Sequence, residues 1–161
     1  MDEQTFHAIY AGTAKPLWAY IARLSGRPDV ANDLVQETYC RFLTAQLRNM
    51  EPAQAKPYLF RIATNLLHDR WRNGEATTWS EPPEMGCERD LDTQIDVRDL
   101  MQQLKPRERQ LLWLAYVEGM THSEIAKSTG LQAMSVRILL FRARRRAAEL
   151  LGRKERAVHE V

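Results

Sequence analysis

Thr121-His122-Ser123-Glu124-Ile125-Ala126-Lys127-Ser128-Thr129-Gly130-Leu131 is the stretch whose reading decides the fold. Thr121 and Glu124 stand at capping-box spacing: the hydroxyl can accept from the N3 amide while the carboxylate reaches back to the cap amide. A short helix follows. Gly130 ends it, because the turn needs a left-handed backbone that residues with a Cβ resist. Leu131 is an apolar plug after the turn, and a longer helix runs from about Ala133 to Leu151. Ile125 and Ala126 face inward, and Ala126 is small enough for two helices to cross closely. Short helix, glycine turn and longer helix together form a helix-turn-helix.

Val136, Leu140 and Ala143 recur at four- and three-residue steps and form the buried stripe of the longer helix. Arg137, Phe141, Arg142, Arg144, Arg145 and Arg146 occupy its remaining surface. A guanidinium fork pairs with phosphate or with guanine edges. Arg137 and Arg142 are placed as base readers; Arg144 to Arg146, further along, are placed to meet phosphates. A basic run alone would also describe an ordinary solvated hairpin. The cap, turn and plug in this order favour a DNA-binding element.

Upstream of this motif the chain also reads as helix, and nowhere does period-two alternation persist. The expected fold class is all-α, with two small helical lobes on a flexible linker. Phe6, Ile9, Tyr10, Leu17, Ile21 and Leu24 mark a first helical run, which Pro16 is expected to kink or split. Pro28-Asp29 opens a second helix with Val30, Leu34, Val35, Tyr39, Phe42 and Leu43 on its buried side. Residues 49–57 read as a loop or a helix entry. A third helix runs from about Lys56 to Trp71. Residues 96–104 carry another helical pattern, and Pro106 then starts a helix at a position where its missing N–H costs nothing. That helix is expected to bury Leu111, Leu112, Leu114, Ala115 and Val117 and to stop at Gly119. The expected organisation is a first lobe over 1–73, an acidic linker over 74–94 and a second lobe over 95–161.

Charge follows this division. The whole chain of 161 residues carries a net +2, yet residues 1–73 sum to +2, residues 74–97 to −6 and residues 98–161 to +6. A basic C-terminal third points to a polyanionic partner. No apolar run is long enough to span a bilayer, and the acidic start Met1-Asp2-Glu3 does not resemble a secretory leader, so the expected location is cytoplasmic. Cys40, Cys87 and the four histidines form no metal-ligand spacing, and no metal or cofactor is implied. No nucleophile triad, phosphate loop or paired carboxylates stand out, which argues against an enzyme with a small-molecule substrate.

Taken in order, several blocks resemble the extracytoplasmic-function sigma factors of the sigma-70 family. Asp33-Leu34-Val35-Gln36-Glu37-Thr38-Tyr39 resembles the D-L-V-Q-E-T-F signature of region 2.2. The segment from Pro57 to Asp69 is similar to the W-L-[FY]-x-I-A-x-N-x-x-x-D block of regions 2.3 and 2.4. Leu104 to Arg109 resembles the entry to region 4, Glu118-Gly119-Met120-Thr121 with Glu124-Ile125-Ala126 its core, and Arg142-Ala143-Arg144 its close. The resemblance implies a region 2 lobe that binds core RNA polymerase through Asp33, Gln36 and Glu37, which helical spacing puts on one face. It also implies that Arg61, Asn65, His68, Arg70, Trp71 and Arg72 melt and hold the −10 element of promoter DNA. Arg61, Asn65 and His68 are spaced to share a face, and Trp71 is either a stacking platform or partly buried core. Tyr58 and Phe60 are expected to pack the lobe.

A region 4 lobe would read the −35 duplex through Ser135, Arg137, Phe141, Arg142, Arg144 and Arg145. Such relatives are often held by an anti-sigma factor, and one is expected here. The acidic linker, with Glu81, Glu84 and Glu88, would thread towards the polymerase cleft. The sequence departs from the family pattern at Met134, where glycine is common, and at Ile138-Leu139, where Ser-Arg is common. Either this helix reads thymine methyls or its face meets a protein. The alternative reading of the whole chain is an autonomous helix-turn-helix regulator binding a palindrome as a dimer.

Overall fold

The structure, a computed structural model, describes residues 2–45, 50–73 and 100–159, with side chains to 153. The expected linker, including Cys87, Glu81, Glu84 and Glu88, lies outside the described residues, as do Ile95 and Val97. Every regular element among the described residues is helical. They are α1 (Glu3–Ser25), α2 (Pro28–Thr44), α3 (Pro52–Arg72), α4 (Pro106–Leu112) continued by a π-helical turn (Trp113–Val117), α5 (His122–Thr129) and α6 (Ala133–His159).

The first three helices form the first lobe. Asp2 caps α1 by accepting from the Thr5 amide at 2.7 Å, and Gly26 closes it at φ 71°. Pro16 lies inside this helix, so of the expected kink or split the split does not occur. Its ring removes the amide that would bond the Gly12 carbonyl, but Gly12 is exposed, so water can serve that oxygen. Ile9 on one side and Leu17, Tyr20 and Ile21 on the other are completely buried and hold both halves to the same core. A buried hydroxyl pair, Thr13 to Tyr39 at 2.6 Å, ties α1 to α2.

Val30, Leu34, Tyr39 and Phe42 of α2 are buried as the periodicity demands, whereas Val35 is half-buried and Leu43 is 50% exposed. Leu43 lies one step beyond Phe42, and a helix one hundred degrees per residue turns it off the apolar face. The third helix begins four residues before the expected Lys56. Pro52 takes the first helical position, and the Glu51 amide donates to Gln54 Oε1 at 3.3 Å. Pro57 therefore sits inside α3 rather than before it.

In the second lobe residues 100–103 are helical, within the expected 96–104, and Leu104 is buried; Pro106 then starts α4, where the Lys105 amide donates to Glu108 Oε1 at 2.9 Å. Leu111, Leu112 and Leu114 are buried. The wider π-turn then rotates the chain, leaving Ala115 half-buried and Val117 55% exposed instead of in the core. Gly119, at φ 64°, leads into the capping box of α5.

The two lobes pack directly on each other, α3 against α5 and α1 against α4. Gln110 of α4 is almost wholly buried and donates to Tyr20 Oη at 2.9 Å, while the Tyr20 and Thr64 hydroxyls pair at 2.8 Å. Burial pushes the Tyr20 phenol up to about 12, so it stays neutral. Lys56 of α3 meets Glu118 at 2.9 Å, and that carboxylate side chain is only 5% exposed. Arg23 of α1 lies over the Trp113 ring at 5.9 Å.

Candidate nucleic-acid and polymerase interfaces

The helix-turn-helix has the local chemistry its sequence calls for. Thr121 Oγ1 accepts from the Glu124 amide at 3.2 Å, and Glu124 Oε1 accepts from the Thr121 amide at 3.1 Å. Ser128 and Thr129 return their hydroxyls to the carbonyls of Glu124 and Ile125, at 2.9 and 2.8 Å. Gly130 then turns at φ 78°. Ile125 is fully buried and Ala126 half-buried against the core.

Val136, Leu140 and Ala143 anchor α6 with almost no exposure. On the opposite side Arg137, Phe141, Arg142, Arg144 and Arg145 are exposed. Ser135 differs from its neighbours in being half-buried, since it stands beside Val136 at the edge of the anchoring stripe. The Ile138-Leu139 pair divides: Ile138 is 46% exposed, while Leu139 packs against the core. Arg144 reaches the Tyr116 hydroxyl at 3.4 Å, so the π-turn borders this surface.

On α2, Asp33, Gln36 and Glu37 are all exposed, together with Asn32 and Cys40. Leu34 and Thr38 between them point into the core, and that burial fixes the outward row. Asn32 Oδ1 accepts from Trp18 Nε1 at 2.8 Å, bracing α1 against the row's edge. Glu37 pairs with Arg41 one turn on, at 2.8 Å.

The α3 residues face the second lobe. Asn65, His68, Trp71 and Arg72 line a cleft of about 660 Å³ with Lys105, Pro106, Arg107 and Gln110. Burial, then the charges of Arg107, Arg72 and Arg61, hold the His68 imidazole below its ordinary value, with Asp69 opposing. The His68 and Trp71 rings lie 5.2 Å apart, and Trp71 is half-buried, with its body on the core and another part on the cleft. Arg61 takes another direction. Its guanidinium lies against Gly130, in space that a Cβ there would occupy. Arg70 is half-buried, and Arg72 pairs with Asp69. Phe60 is fully buried, whereas Tyr58 is 36% exposed and stands at the edge of Phe42.

Sequence reasoning missed the polar seam of Tyr20, Thr64, Gln110, Lys56 and Glu118. Its only trace in the sequence is Gln110 beside Leu111 and Leu112, a polar residue next to an apolar run.

Comparison with known families matches residues 9–77 to Sigma-70 region 2 and residues 94–147 to Sigma-70, region 4. The curated relative ECF RNA polymerase sigma factor SigL of Mycobacterium tuberculosis is 28% identical over 140 residues, covering 81% of this chain and 79% of its own. The chain belongs to the extracytoplasmic-function branch of the sigma-70 family. This sigma factor is also 26% identical to RNA polymerase sigma factor CarQ of Myxococcus xanthus over 164 residues, 95% of this chain and 92% of that one. Its fold is that of the sigma factor RpoE in a co-crystal with the anti-sigma factor NepR from Bartonella quintana. The TM-score is 0.71 at 22% identity, covering 91% of this sigma factor and 96% of that chain. The matched segments place α1 to α3 in region 2, and α4 to α6 in region 4 up to residue 147. Among the described residues of this sigma factor, no helix is long and apolar enough to cross a membrane.

Proposed function

We propose that this sigma factor binds core RNA polymerase through Asp33, Gln36 and Glu37, holds the melted −10 strand on α3, and reads the −35 duplex with α6. It works in the cytoplasm and has no chemistry of its own: the polymerase makes the bonds. The observation that carries the reading is α6, anchored by Val136, Leu140 and Ala143 and presenting Arg137, Arg142, Arg144 and Arg145 on its outer side. A helix so presented suits the major groove, where arginines pair with guanine edges and phosphates.

On α3, Arg61 and Arg72 supply charge for a strand, Asn65 supplies an amide for a base edge, and His68 and Trp71 supply rings for stacking. Arg70 adds charge near the helix end. The acidic, amide-bearing row on α2 suits a basic partner surface. Each lobe alone offers a small footprint; the polymerase holds both against one promoter and raises their effective concentration. The boundaries that fit this division are 1–73 and 95–161, with the acidic stretch 74–94 as the tether. A sigma factor of this fold is held by an anti-sigma factor in the Bartonella quintana complex, and the same kind of control is proposed here.

The test mixes purified chain with core polymerase and a promoter library and sequences the run-off transcripts. Transcripts from a shared promoter sequence are expected only when chain and core are both present. Tight binding of the chain alone to a palindrome, with no change in transcription starts, would overturn the proposal.

A further inference from the structure

The outermost line of α6 is apolar over its first turns, before Arg145. Met134, Ile138 and Phe141 are 68%, 46% and 59% exposed, at four- and three-residue steps that align them in one stripe. That stripe lies opposite the buried Val136, Leu140 and Ala143. Arg137 and Arg144 flank it on one side and Arg142 on the other, all exposed, with Arg145 continuing the line. Residues 133–147 contain five arginines and no carboxylate. Three adjacent exposed apolar side chains with an all-cationic border form a patch that calls for a partner.

The border identifies the partner. An acid-free arginine rim fits a polyanion, and within duplex DNA the apolar feature of the major groove is the C5-methyl group of thymine. We infer that Met134, Ile138 and Phe141 read thymine methyls in the −35 duplex, so that this sigma factor selects a thymine-bearing half-site. The inference rests on the proposed placement of α6 in the −35 major groove and deepens it. The arginines fix the helix on the phosphates and on any guanine edges, and the apolar stripe then distinguishes thymine from cytosine at the positions it covers. Leu139 takes no part, because it packs inward.

The experiment uses holoenzyme reconstituted from the full chain and core polymerase. The strongest promoter from library selection is synthesised with each −35 thymine replaced in turn by deoxyuridine, which removes the methyl group and leaves every hydrogen-bonding group in place. Wild-type holoenzyme is expected to lose about threefold to fivefold in affinity at one or two of these positions, the effect of one buried methyl. Ile138→Ala and Met134→Ala, both at exposed positions, are expected to bind thymine and deoxyuridine promoters alike at the position each one reads. Promoter-specific initiation with no deoxyuridine effect would overturn the inference and leave the sigma-factor placement of α6 standing. Unchanged promoter affinity in both variants with weakened association to core polymerase would also overturn it, by assigning the stripe to a protein. Absence of any promoter-specific initiation would overturn the inference together with the reading it rests on.

Discussion

Thr121 and Gly130 bracket α5, and each carries a separable part of its stability. Thr121→Ala removes the acceptor of the Glu124 amide and is expected to cost about 1 kcal/mol in chemical denaturation. Glu124→Ala removes the reciprocal bond to the Thr121 amide, so the double variant should lose less than the two single losses combined. Gly130→Ala acts in two ways. It places a Cβ in a left-handed conformation, at about 1–2 kcal/mol, and it displaces the Arg61 guanidinium. Comparing Gly130→Ala in the wild-type and Arg61→Ala backgrounds separates these effects: the backbone cost survives without Arg61, and the displacement does not.

At the scale of whole helices, α2 and α6 each present an exposed row, proposed to bind core polymerase and promoter respectively, opposite an anchoring row. Asp33→Ala with Glu37→Ala changes only exposed positions, so the melting temperature should barely move while affinity for core polymerase falls. Loss of core binding together with loss of fold would refute that separation. On α6, Arg137→Ala is expected to weaken promoter binding by about 1–3 kcal/mol and to relax preference at one position. Arg144→Ala should weaken all sequences alike and lower the salt slope by about one. Both are read by holoenzyme titration over a range of salt concentrations. The α5 to α6 motif was legible beforehand because cap, glycine and anchoring stripe are local signals. The continuity of α1 was legible only in part: local propensity leaves a kink or a split at Pro16, and burial on both sides of it keeps one helix. Val117 was misplaced because a π-turn changes the angular period that the apolar pattern assumes. For the α3 residues the sequence offered types and a shared face. What it could not offer was their neighbour across the seam, since Lys105, Arg107 and Gln110 lie far along the chain.

The closed pairing of the lobes belongs to the molecule as a whole. Gln110→Ala leaves the Tyr20 and Thr64 hydroxyls only each other, and is expected to cost about 1–3 kcal/mol. A lobe-to-lobe fluorescence distance should lengthen in that variant. Acidification should act in the same direction through His68. Arg61 and Arg72 of α3 and Arg107 of α4 surround it, Lys105 shares its cleft, and only Asp69 opposes them. Burial first, and these cations second, hold its imidazole below the ordinary value of about 6.5. As the pH falls through that value, the unfolded or opened chain takes up a proton before the closed one does, and stability is lost. Melting curves at pH 8 and pH 5.5 should show a drop that shrinks in His68→Gln; an equal drop in both proteins would refute this assignment.

Under the strand-holding role proposed for it, Arg61 has one guanidinium and two claims on it. While it rests on the Gly130 turn it joins the lobes, and while it grips a melted strand it cannot. On that proposal DNA and the second lobe compete for the same cation, and whatever draws the lobes apart would also arm the first lobe for its strand. A free chain at rest should therefore be a poorer DNA binder than its count of arginines implies.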